Sequence, residues 1–114
     1  MPFKSLFLSG APDANPEKDK ALVKTELAEL EVVLVKHSEF SKILDICKDF
    51  ADRGGNAIIL CPGFTHEQVA KISETVGESV SVNVARGDGK SAVAARRAME
   101  RAGWFNQKGS GQNQ

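Results

Sequence analysis

The residues best equipped for chemistry lie together in "LCPGFTHEQ", where an apolar run stops and a helix begins. Cys61, His66 and Glu67 all fall at this junction. A helix N-terminus presents free backbone N–H groups and the positive end of a dipole, and both favour a thiolate over a thiol. Cys61 is therefore a candidate nucleophile or base. His66, at the first helical position, is a candidate proton carrier, and Glu67 can orient it. The same residues also have a plainer explanation. Cys61 can be the buried end of a strand, with His66 and Glu67 solvated in the first turn, where a carboxylate suits the dipole.

A second group surrounds the turn "ARGDGKSA". Gly89-Lys90-Ser91 resembles the end of a phosphate-binding loop, but Val84 stands where that motif needs its first glycine. The loop is too short to wrap a triphosphate. Free N–H groups at the next helix start, with Arg86 and Lys90 nearby, can hold one phosphate, sulfate or carboxylate. The plainer alternative is a glycine-rich turn with Ser91 as N-cap. Arg86 and Asp88 are placed to pair with each other, and the Arg-Gly-Asp tripeptide carries no weight by itself. "HEQVA" begins like a zinc-protease helix, but Ala70 replaces the second histidine of the i,i+4 pair. His37, the Cys61–His66 junction and Asp88 lie on separate loops of one edge, so their spacing specifies no metal site. No metal and no cofactor are expected.

These groups need a scaffold, and the alternation of short apolar runs with helical patterns supplies one. "PFKSLFLSG" reads as a first strand rather than a signal peptide. Residues 16–30 fit either a short helix after Asn15-Pro16 or an extended arm into the next strand. "EVVLVK" (31–36) is β-branched and reads as a strand. Ser38 is the expected cap of a helix to Asp52, with Phe40, Ile43, Leu44, Cys47 and Phe50 on one face and Gly54-Gly55 as its stop. "NAIILCP" has the unbroken apolar character of a strand covered on both faces. Thr65 and Gln68 make a capping box for the following helix, with Phe64 and Val69 as its hydrophobic staple. "SVSVNVA" alternates as a strand. Ser91 opens a last helix, with Ala94, Ala95, Ala98, Met99 and Ala102 on one side.

The expected fold is α/β: about four mostly parallel strands with three main helices, flavodoxin-like or like a fragment of a (β/α) barrel. One domain spans 1–105, and 106–114 form a mobile polar tail. In such a sheet the loops after the strands share one edge, where ligands bind. That edge gathers Ser9-Gly10, Lys36-His37, Cys61 to Glu67, and Arg86 to Lys90. The candidate ligand-binding residues are thus Lys36, His37, Gly63, Thr65, Arg86, Asp88, Gly89, Lys90 and Ser91.

Composition narrows the partners. Lys+Arg and Asp+Glu both number 15, so net charge gives no drive toward nucleic acid or an anionic membrane. One Trp and no Tyr exclude the aromatic-plus-basic pattern of single-strand binders. Two cysteines make no disulfide framework, and a reduced cytoplasmic chain is expected. A sheet this small leaves an edge or helix face open, so a homodimer is expected.

"LCPGFTHEQVAKISETVG" followed by "VSVNVARGDG" resembles a family of small uncharacterised prokaryotic proteins, a domain of unknown function. The resemblance rests on a Cys-x-Gly-Phe-x-His-Glu junction (Cys61, Gly63, Phe64, His66, Glu67) and an Arg-x-Asp-Gly turn (Arg86, Asp88, Gly89). It covers most of residues 3–90 and implies a fold more than an activity. The expected function is binding of a small anionic ligand at the strand ends, with minor isomerase- or lyase-type proton transfer at Cys61 or His66. The alternative is a non-catalytic homo-oligomeric accessory protein in which the same residues only shape turns.

Overall fold

A computed structural model describes residues 1–106. The five strands are β1 (Phe3–Gly10), β2 (Lys20–Lys24), β3 (Ala28–Val35), β4 (Ala57–Leu60) and β5 (Ser81–Val84). The helices are α1 (Phe40–Asp52), α2 (His66–Val76) and α3 (Gly89–Arg101), followed by one 3-10 turn, Trp104–Asn106. The sheet order is β2-β3-β1-β4-β5. β1, β3, β4 and β5 run parallel, and β2 is antiparallel to β3. The fold is α/β, with one strand more than the sequence suggests. The extra strand lies within 16–30, where the extended alternative holds rather than the helix. Every β2 side chain is exposed, so its apolar pattern could not announce a strand, and pairing with the edge of β3 decides it.

Two crossovers, β3 to β4 and β4 to β5, step in the same direction across the sheet. Right-handed connections therefore put α1 and α2 on one face. There Leu6, Leu8, Val33, Val35, Ile58 and Leu60 meet Ile43, Cys47 and Phe50 of α1 and Ile72 of α2. This is the main core, and most of its members are sealed from solvent.

The helix starts differ from expectation in two places. α1 begins one residue later than a Ser38 cap would require: its N-cap is Glu39, with no side-chain cap bond. α3 begins at Gly89 with Asp88 as N-cap, so Ser91 lies inside the helix. The Asp88 carboxylate is engaged by Arg86 instead of by the helix N–H groups. At α2 the local signals suffice. Thr65 Oγ1 accepts from Gln68 N–H at 3.1 Å, and Gln68 Oε1 accepts from Thr65 N–H at 3.0 Å. Asn106 closes the 3-10 turn, and the rest of the expected tail lies outside the described residues.

Candidate functional site

In register the parallel strands end within two residues of one another, β1 and β3 running two residues past β4 and β5. Ala11 N–H donates to Val35 C=O, Cys61 N–H to Leu8 C=O, and Ala85 N–H to Leu60 C=O, each just past a strand end. The segments after β1, β3, β4 and β5 thus leave along one rim. β1 is where the winding changes direction: the chain passes from β1 to β3 on one side and reaches β4 and β5 on the other. Such a switch point opens a crevice at the carboxyl ends of the strands.

His37 fills that crevice. A Cβ added to Gly10 would overlap the imidazole at Nε2 and Cδ2, so the ring lies directly on the β1 backbone. From the β4 side Gly63 comes almost as close, its notional Cβ 3.1 Å from Nε2. Phe64 meets the ring edge-on, with centroids 4.5 Å apart. Cys61 Sγ lies 3.7 Å from His37 Nε2. Cys61, Pro62, Gly63 and Phe64 form a β-turn closed by Phe64 N–H to Cys61 C=O at 3.4 Å, with proline at the second position. This turn holds the sulfur toward the ring. Gly87 abuts Pro62, its notional Cβ 2.8 Å from the Pro62 Cβ, which brings the Arg86–Asp88 turn alongside.

Burial sets the electrostatics of the pair. His37 Nδ1 is buried without a hydrogen-bond partner among the described residues. An unused acceptor lone pair is a smaller loss than an unpaired buried N–H. We therefore assign the neutral tautomer protonated on Nε2, which points its N–H at Cys61 Sγ. Desolvation lowers the His37 pKa from its ordinary 6.5, so the ring is neutral at physiological pH. Because the folded pKa is depressed, the unfolded chain takes up this proton first as pH falls. His37 thus contributes stability above about pH 6.5 that is lost as pH falls toward the folded pKa. Denaturant midpoints measured between about pH 5 and 8 should fall on the acid side more steeply for the wild type than for His37→Gln. Equal slopes would contradict the burial of this ring. The other thiol is a contrast: Cys47 is fully buried in α1, and burial pushes it up to about 12.

The remaining candidates are distributed around this pair. His66 and Glu67 are exposed in the first turn of α2, and the imidazole within reach of Cys61 is that of His37. Thr65 is committed to the helix cap. Lys36 is half-buried beside His37, while Arg86 is exposed and ion-paired with Asp88. Gly89, Lys90 and Ser91 form the exposed first turn of α3, with Gly89 at φ 56°. Sequence reasoning placed His37 on the rim but did not pair it with Cys61. The available signal was Gly10, a glycine ending a central strand, where close approach of another group is a standing reason for glycine.

A separate cleft of about 740 Å3 lies between α1, β3 and the β1–β2 connection, and it does not include Cys61. Its walls mix acids (Asp13, Glu39, Asp45) with bases (Lys20, Lys36, Lys42), so it offers no single sign of charge. Among the described residues no group of three His, Cys, Asp or Glu side chains is placed to hold a metal ion. No helix among them is long and apolar enough to cross a membrane.

Comparison with known proteins assigns this domain no activity. No curated protein and no solved structure matches the chain. One family model does, over residues 3–100, from the first strand through nearly all of α3: the chain belongs to the Family of unknown function (DUF6506).

Proposed function

We propose that the rim binds a small anionic molecule and that Cys61 with His37 is its reactive pair, acting in proton transfer of the isomerase or lyase type. The observation that carries this reading is the 3.7 Å approach of Cys61 Sγ to His37 Nε2 at the switch point of the sheet. In its thiolate form Cys61 takes a proton from a carbon next to a carboxylate or carbonyl, and the same sulfur can return it. The His37 Nε2–H stabilises the sulfur charge by a charge-assisted hydrogen bond. Arg86, on the turn whose Gly87 abuts Pro62, supplies positive charge for the ligand's anionic group, which displaces Asp88 from it. His66 is too solvated to hold a fixed geometry and serves at most to bind.

The two thiols give a direct test. At neutral pH a thiol reagent should modify Cys61 readily, while Cys47 reacts only after unfolding. His37→Gln should slow modification of Cys61 while leaving Cys47 protected. A screen of small carboxylates and phosphates by thermal shift should find a stabilising ligand. That stabilisation should weaken in Arg86→Gln, and Cys61→Ser should retain binding without turnover. If Cys61 reacts equally fast with and without His37, and no anion raises the melting temperature, the pair is structural and the reading fails.

A further inference from the structure

The sheet has a second face, and its composition is unlike that of a solvated one. It carries Phe3 and Phe7 of β1, Leu30 and Val32 of β3, Ile59 of β4 and Val23 of β2, aligned by register. The other positions on this face are Ala, Leu, Ser or Asn. Among the described residues, no charged strand residue points this way. Lys4, Lys20, Lys24, Glu29 and Glu31 all alternate onto the α1–α2 side. Phe3 is 57% exposed, Val23 60% and Leu30 38%. The topology explains why. The step from β1 to β3 runs opposite to the other two, so a helix in that connection would cover this face. The chain places β2 there instead, adding a strand and leaving the face without its helix.

Among the described residues there is also a helix that none of the sheet buries. All 13 residues of α3 are exposed except Met99, which is half-buried. Ala95, Ala98, Met99 and Ala102 line one side, and Arg96, Arg97 and Arg101 the other. Alanines allow a helix to approach a flat sheet closely, and the arginines would then face water. The dimensions agree: α3 is about 20 Å long, against about 26 Å for an eight-residue strand.

We infer that these two surfaces cover each other between two copies: α3 of one protomer lies on the open sheet face of its partner, and the exchange is reciprocal. The five strands, 29 residues together, present roughly 460 Å2 of flat face, and one helix about 20 Å long and 11 Å wide covers roughly 220 Å2 of it. Counting both surfaces at two such seats gives roughly 900 Å2, the size of a weak, reversible interface. Zero net charge leaves no repulsion to overcome. The charged cleft beside α1 is a poorer seat, because its acids and lysines would be buried against alanine.

Sedimentation velocity of the wild type should give twice the 12.3 kDa chain mass. Leu30→Lys on the sheet and Ala95→Glu on the helix should each raise the dissociation constant at least about tenfold. Both sites are exposed in the single chain, so circular dichroism should show the fold intact. Val93→Lys, on the arginine side of α3, should leave the dimer unchanged. A monomeric wild type overturns the inference. So does a dimer that Leu30→Lys dissociates and Ala95→Glu does not, which would be sheet against sheet. Equal effects of Val93→Lys and Ala95→Glu overturn it as well.

Discussion

Replacing Leu8 with alanine is expected to cost about 2–5 kcal/mol of unfolding free energy. Leu8 is fully buried on the central strand, flanked in register by Val33 and Leu60. Its side chain belongs to the layer under α1 and α2, so truncation leaves a cavity bounded by three strands and two helices. Strand backbones locked on both sides cannot move in to fill it, which places the loss in the upper part of that range. With about 4 °C per kcal/mol for a domain near this size, melting should drop by roughly 8–20 °C. Urea unfolding with unchanged slope would confirm a pure stability effect. A loss below about 1 kcal/mol would mean that β1 is not at the centre of the sheet.

The second large effect is expected at Gly10. An alanine there drives its Cβ into the His37 ring, which Gly63, Phe64 and Cys61 bound on other sides. Either the ring swings outward or the backbone of β1 shifts, at a cost of about 1–3 kcal/mol. The outward swing also breaks the approach to Cys61. In Gly10→Ala the imidazole should titrate closer to its ordinary 6.5, because it is no longer desolvated. Modification of Cys61 should slow as it does in His37→Gln. NMR titration of the histidines together with a thermal melt checks both effects. Unchanged stability with an unchanged His37 resonance would show that the ring does not lie on Gly10.

Local chemistry was legible in the sequence where neighbours in the chain are neighbours in space. The Thr65–Gln68 box is the clearest case, because both partners sit within one turn. The strand-helix alternation and the common rim follow from periodicity and handedness, and the structure has both. Ser38 and Ser91 misled because a serine before an apolar face is only a permitted cap. At α1 and α3 the chain turns at Glu39 and Asp88 without any side-chain cap bond. The pairing of Cys61 with His37 spans 24 residues and depends on which strand flanks β1. No spacing rule contains that order. His66 is nearer in sequence and was the natural partner to assign, yet helical geometry turns it to solvent. For α3, the alanines on one side were legible, but among the described residues nothing buries them.

The placement of β1 also bears on how the chain reaches its native state. The central strand precedes both of its neighbours in the chain, and it bonds β3 on one edge and β4 on the other. The Lys4 N–H to Asn56 Oδ1 bond closes across 52 residues. Until β3 and β4 have emerged, Phe3, Leu6, Phe7 and Leu8 form an unpaired apolar segment open to wrong partners. Long-range parallel pairing of this kind slows folding relative to helical bundles of the same length. Refolding yield should therefore depend on concentration, and chaperone capture during translation should centre on residues 3–10.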